Sequence, residues 1–367
     1  IGNFNTQKLN VNFELPVFES NNSISILSSY TTDDFFTILN TGDDINNSAK
    51  NNIISLAVGR IPARNVQDAD SVIEKLIYYQ TKSVPSAWAN NLTWIADDGD
   101  YNLHLQDAES IIANLNAKES KWNHKKIYLD LFPALSSTSG NSYPLANAAL
   151  QQTVQAGTLM INYTGHGNYL RLSEEAILSQ EVFNSWNNTN NLPLLVTASC
   201  NFAPYDQPTI NAIAWDALMK QRQGVIGIVA ANRLVFAYSN KQINDQFIQQ
   251  LFIADSLGKY TSIGKALQKA KLINQGLGGD RVNAYKFNLI GDPALQLIAP
   301  NEQLKITSIN NKTFIGKDSL LLGLKNNIQG RIERGGVLKT NFNGIAELSI
   351  YDAVKWKRTL ANQPASI

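Results

Sequence analysis

The feature that most constrains this chain is a set of short runs that are apolar at nearly every position, spaced by stretches of helical periodicity. Residues 158–164, 192–200 and 224–231 are such runs. A strand with one wet face alternates apolar and polar residues, whereas a strand apolar throughout is buried on both faces, as in a parallel sheet covered by helices. Between the runs, apolar residues recur at i, i+3, i+4 and i+7. Ala69, Val72, Ile73, Leu76 and Ile77 predict a helix over 68–81 with Asp68 near its start. The same reading gives strands at 53–58, 94–96 and 126–131 and helices at 107–117, 174–186, 240–252 and 262–274, with a further helix ending near Gly157. Strand and helix alternate, so the fold class is α/β with mostly parallel central sheets flanked by helices.

A chain of 367 residues is long enough for two to three domains. Ser, Gly and Pro in 136–144 break the pattern, which divides it into an N-terminal α/β subdomain (1–138) and a second α/β subdomain (139–300). After Pro300 the texture changes to short alternating runs, 304–309, 319–324, 335–340 and 345–350, parted by Asn-Asn and Asn343-Gly344 turn signals. Residues 301–367 therefore read as a β-sandwich-like, immunoglobulin-like domain or a fragment of one. The chain opens on Ile1 with neither Met nor a leader pattern, as a processed product or an excerpt does.

Composition removes several function classes. The 31 basic side chains stand against 30 acidic ones, which excludes a strongly basic nucleic-acid binder. No apolar stretch approaches the ~20 residues of a transmembrane helix. Cys200 is the single cysteine, so an intrachain disulfide and a thiolate zinc site are both excluded. The three histidines, His104, His124 and His166, do not form a His-Glu-x-x-His pair, and no metal ligand set is assigned.

His166 and Cys200 are the strongest chemical pair. His166 lies in Tyr163-Thr-Gly-His-Gly167 after one buried run, and Cys200 ends the next. In an open parallel sheet, functional groups gather at the carboxyl ends of strands, so both side chains should emerge at one edge. A thiol beside an imidazole is the arrangement of a cysteine nucleophile and its base. Read singly, each has a plainer reading: a cysteine ending an apolar strand is packing, and a histidine between glycines is a turn residue.

These residues carry a family resemblance. Tyr163-Thr-Gly-His-Gly167 and Thr197-Ala-Ser-Cys-Asn-Phe202, followed by Tyr205-Asp206, resemble the His and Cys blocks of the gingipain-like cysteine peptidases, family C25, whose fold is similar to that of the caspases. Ser28 to Phe36, Ala57-Val-Gly-Arg-Ile-Pro62, Ala96-Asp-Asp-Gly-Asp100 and Phe287-Asn-Leu-Ile-Gly-Asp-Pro-Ala294 resemble the family in the same order, most nearly its sortase branch in the type IX secretion system. The resemblance implies Cys200 as nucleophile, His166 as general base, and the backbone N–H groups of Gly167 and Cys200 as oxyanion hole. It also implies an acid from the 96–100 loop, Asp98 first and Asp97 second, to orient the imidazole. As an Asp-rich turn, that loop reads equally as a solvated loop or as ligands for a structural calcium ion; an EF-hand is excluded because Leu103 stands where its glycine belongs. No other cofactor is implied. The implied partners are secreted proteins with C-terminal sorting domains, a lipopolysaccharide acceptor and other type IX components, at the outer-membrane surface of a Bacteroidetes-like cell. One block departs: relatives of this branch carry Ser-Ala-Gly-Glu after the cysteine, and this chain has Ala212-Ile-Ala-Trp215. That departure leaves a non-catalytic binding module on the same fold, or a general endopeptidase, as alternatives.

Overall fold

The computed structural model describes residues 15–348 apart from positions 23, 24, 26, 120, 139, 208, 257, 301, 317, 318, 347 and 349 onward, beyond which only the strand backbones of Trp356–Arg358 and Pro364–Ser366 are described. Its centre is one six-stranded sheet of β1 (Asn91–Ala96), β2 (Asn123–Tyr128), β3 (Met160–Thr164), β4 (Leu194–Ala198), β5 (Gly227–Ala231) and β6 (Phe287–Ile290). The order across it is β6-β5-β4-β3-β1-β2. All pairs are parallel except β5 with β6. The expected fold of two subdomains, each on its own sheet, is corrected here: β1 and β2, from before residue 138, and β3 to β6, from after it, share one sheet because β1 pairs with β3 along five residues.

Among the described residues, eight α-helices connect and cover the strands: α1 (Val66–Thr81), α2 (Leu103–Lys118), α3 (Pro144–Ala156), α4 (Gln180–Ser185), α5 (Ile213–Met219), α6 (Ala237–Leu251), α7 (Ile263–Gly276) and α8 (Arg281–Lys286). Asn65 caps α1 by accepting the Asp68 N–H at 2.8 Å, so the helix begins two residues earlier than its apolar spacing predicts. β3 and β4 are buried at every position, as the sequence requires of central strands. The one amide inside β3 is satisfied: Asn162 and Asn244 of α6 exchange side-chain hydrogen bonds of 2.8 and 3.1 Å, which fixes α6 against the sheet.

Two expected elements are replaced. The strand expected over 53–58 is absent, and Ile53 and Leu56 are exposed. Ile54 bridges Ile38 and Ser55 N–H donates to Thr37 O at 2.9 Å, and just beyond the segment Arg60 bridges Ile290 on the open edge of β6. Arg60 N–H donates to Leu289 O and Gly291 N–H to Arg60 O, both at 2.9 Å, which covers an edge that would otherwise template aggregation. Gly59 is required there, since a Cβ would stand 2.4 Å from Gly291 O. The helix expected over 174–186 contracts to α4; Arg171–Leu172 and Leu178–Ser179 instead form, with Gly167–Asn168, a three-stranded ribbon beside the sheet.

After residue 300, β7 (Glu302–Ile309), β8 (Lys312–Thr313), β9 (Ile328–Arg334) and β10 (Val337–Leu338) form an antiparallel sheet, with Asn310 and Asn311 in left-handed conformation at the β7–β8 turn. The runs 319–324 and 335–340 are not strands apart from β10, and of the run 345–350 positions 347, 349 and 350 lie outside the described residues while 345, 346 and 348 are irregular. Trp356–Arg358 and Pro364–Ser366 pair as a separate two-stranded antiparallel sheet, and among the described residues no second layer packed on the four-stranded sheet is seen.

Candidate active site

The strand order changes direction between β1 and β3, and such a switch opens a crevice at the carboxyl ends of the strands. Ala96, Thr164 and Ala198 lie in register across β1, β3 and β4, so the segments that follow them leave the sheet at one level. They carry Asp97 to Asp100, Gly165 to Gly167, and Ser199 to Asn201. Asp97 N–H bonds Thr164 O at 3.0 Å and Gly165 N–H bonds Ala198 O at 3.4 Å, which extends the pairing past the strand ends.

His166 is held by its backbone. Its carbonyl accepts from Tyr163 Oη at 2.6 Å and from Ser173 N–H at 3.0 Å, and its N–H donates to Asp97 Oδ2 at 2.9 Å. Gly165 sits at φ +156°, and a Cβ there would stand 2.3 Å from the Asp97 Cβ. The imidazole is left exposed over Gly99, whose missing side chain gives it room. Gly167 packs on Ser199 so closely that a Cβ would lie 2.4 Å from Ser199 Oγ, which brings the histidine loop against the residue before Cys200. Cys200 is half-buried, and its Sγ bonds Val235 O at 3.5 Å. The two loops expected to meet at one edge do so, with the nucleophile candidate accessible.

The acid on the imidazole ring is Asp100: its Oδ2 lies 3.1 Å from His166 Nε2 and 3.4 Å from His104 Nε2. Asp98, the first choice from sequence, instead accepts from Tyr143 Oη at 2.5 Å, and Asp97 takes the His166 backbone N–H. Asp100, Tyr101 and Asn102 all adopt left-handed conformation, at φ of 57°, 53° and 68°, a strained run that turns the chain into α2 and presents Asp100 to His166. Asp100 lies outside α2, which starts at Leu103, so helical spacing does not announce its approach to His104 and His166. Asp100→Asn is expected to lower kcat/KM by about 10- to 100-fold. Asp98→Asn keeps an acceptor for Tyr143 and is expected to change it by less than about threefold. Steady-state kinetics on the two variants check the assignment.

Asp97, Asp98 and Glu175 bring carboxylate oxygens within 4.8 Å of one another. Burial, with Asp98 and Glu175 adding repulsion, pushes Asp97 up to about 7 and outweighs its bond from the His166 N–H. Burial raises Glu175 as well. Because the folded value for Asp97 lies above its ordinary 3.8, the folded protein holds an extra proton between those values. The stabilisation is complete below about pH 4 and is lost as pH rises through about 7. Urea midpoints should therefore fall from pH 5 to pH 8 by more in the wild type than in Asp97→Asn, which has no proton to release.

The departing block Ala212 to Trp215 is buried at the start of α5, and Ile213 N–H bonds Tyr169 O at 3.0 Å, tying it to the histidine loop. It acts as packing behind that loop.

Residues 2–298 match the model of peptidase family C25. Comparison with curated proteins gives no match. Among solved structures, the chain superposes on the Arg-specific cysteine proteinase gingipain R (RgpB) with TM-score 0.59 and 16% identity, covering 76% of this chain and 62% of that one. The complex of Porphyromonas gingivalis RgpB pro- and mature domains gives TM-score 0.58 and 16% identity, covering 75% of this chain and 63% of that one. Dimeric latent PorU from Porphyromonas gingivalis gives TM-score 0.36 and 15% identity, covering 89% of this chain and 25% of that one, and at that level the likeness says nothing about this chain's architecture. The gingipain likeness is one of fold, and this chain spans less than two thirds of the gingipain chains. With the family model matching residues 2–298, which hold every strand of the six-stranded sheet, the chain belongs to peptidase family C25.

Proposed function

We propose that the chain is a cysteine peptidase in which Cys200 attacks the scissile carbonyl and His166 is the general base. The observation that carries this reading is the meeting of the His166 and Cys200 loops, one strand apart in register, with Gly167 against Ser199. An Nε2 that donates to Asp100 carries the ring proton and leaves the lone pair on Nδ1, free to take the thiol proton. Attack forms the Cys200 thioester bond as the peptide C–N bond breaks, and the imidazolium returns the proton to the leaving amine. The N–H groups of Gly167 and Cys200 are the donors proposed for the oxyanion. This chemistry requires no cofactor; a structural calcium ion, if held, belongs to the carboxylates of the Asp97 turn.

The finer reading is a transpeptidase of the type IX secretion system. It removes C-terminal sorting domains of secreted proteins at the cell surface and passes the thioester to an amino-bearing acceptor such as lipopolysaccharide. Its support is the sequence resemblance to the sortase branch and a near-neutral chain with no concentrated charge to recruit small ionic nucleophiles. A peptide ending in a sorting domain, offered with high concentrations of glycine amide, should give aminolysis product beside hydrolysed product by mass spectrometry. Hydrolysis alone at every amine concentration would leave a plain peptidase, and digestion of unrelated casein would mark a general endopeptidase.

A further inference from the structure

Beside the imidazole assigned to catalysis lies a second one that the proposed reaction does not use. His104, on the first turn of α2, is only 4% exposed, and its ring meets that of His166 edge-on with centroids 5.2 Å apart. A ring nitrogen from each histidine and a carboxylate oxygen of Asp97 lie within 4.8 Å of one another. His104 Nε2 is buried, and its pairing with Asp100 Oδ2 is long, at 3.4 Å, and shared with His166 Nε2, so a ligand at this point would complete what that contact leaves weak.

Two neutral imidazoles and a carboxylate are the donor set of zinc and its neighbours, and they leave one tetrahedral position open. Zinc bonds of about 2.0–2.1 Å set ligand atoms roughly 3.3 Å apart in a tetrahedron. Asp100 Oδ2 stands 3.1 Å from His166 Nε2 and 3.4 Å from His104 Nε2, so a fourth oxygen lies at the edge of the cluster at that spacing. Burial, reinforced by His166, lowers the tendency of His104 to protonate, which keeps its lone pair available.

We propose that Asp97, His104 and His166 form a binding site for a divalent transition-metal ion of the zinc class, and that its occupancy withdraws the His166 imidazole from catalysis. Binding forms two N–metal bonds and one O–metal bond in exchange for waters of the aqueous ion, and leaves water or Asp100 in the fourth position. The metal is a reversible inhibitor in this scheme. Binding is read without turnover, so the site and the peptidase assignment stand or fall separately.

The test is zinc affinity, measured by competition with a chromophoric chelator, for the wild type and for Cys200→Ala, His104→Asn and Asp97→Asn. One tight zinc per chain is expected. Cys200→Ala should bind within about twofold of the wild type, while His104→Asn and Asp97→Asn should bind at least about 10- to 100-fold more weakly. Asp97→Asn retains an acceptor for the His166 N–H, and circular dichroism of both variants separates loss of a ligand from loss of fold. Cobalt in place of zinc should show visible tetrahedral bands without sulfur-to-metal charge transfer in the near ultraviolet. Sulfur charge transfer, or loss of zinc in Cys200→Ala, would put the metal on the thiol and overturn the proposal. So would equal affinity in all four proteins.

Discussion

Cys200→Ala is expected to abolish peptide turnover, a loss of at least about 10⁴-fold in kcat/KM, with almost no change in stability. The thiol is half-buried and makes a single long contact with Val235 O, so its removal leaves little cavity. A cost below about 1 kcal/mol moves the melting temperature of a chain this size by less than about 2 °C. His166→Ala should remove activity to a similar degree, since the exposed imidazole supports the site through its ring while its backbone carries the structural bonds. Kinetics paired with calorimetry check both. A melting temperature lowered by many degrees in Cys200→Ala would make Cys200 a core residue instead.

The second large effect is expected at a residue with no side chain. Gly167→Ala places a Cβ 2.4 Å from Ser199 Oγ and 2.8 Å from Leu172 Cδ2, inside contact distance of both. The atoms in the way are the Ser199 hydroxyl and a Leu172 methyl, both on fully buried side chains with little room to turn aside, so the strain passes to the loops that carry His166 and Cys200. A displacement of about 1 Å between base and nucleophile costs on the order of 100-fold in rate, and overpacking adds about 1–3 kcal/mol of instability. Kcat/KM should therefore fall by about 100-fold. Adding Ser199→Ala removes the closest atom and should restore part of the loss. A double-mutant cycle in which Ser199→Ala restores nothing would show that the two loops do not meet there.

What the sequence discloses follows from which forces are local. β3 and β4 are legible because burial on both faces leaves apolar residues at nearly every position, and the Gly-flanked histidine marks the turn that follows. The edge role of Arg60 is not legible: the apolar run before it resembles a strand, but the backbone hydrogen bonds of Arg60 go to Leu289 and Gly291, over two hundred residues away. The single sheet is hidden for the same reason, since the β1–β3 pairing that joins the two halves is a long-range contact. The choice among Asp97, Asp98 and Asp100 turns on three consecutive left-handed residues, a conformation that no single residue type announces. The helix expected over 174–186 has the correct apolar spacing, yet Leu178 is drawn into the ribbon against Leu172, where tertiary pairing outweighs propensity.

Activation of the Cys200 thiol by the His166 loop is what the proposed peptidase chemistry requires. It is tested most directly by the rate at which iodoacetamide alkylates Cys200 near neutral pH, followed by mass spectrometry, in the wild type and in His166→Ala. Cys200 is the only thiol in the chain, so the signal has one source. Alkylation well above the rate of free cysteine is expected in the wild type, with a fall to that rate or below in His166→Ala. A wild-type Cys200 that reacts no faster than free cysteine, unchanged by loss of His166, would contradict it.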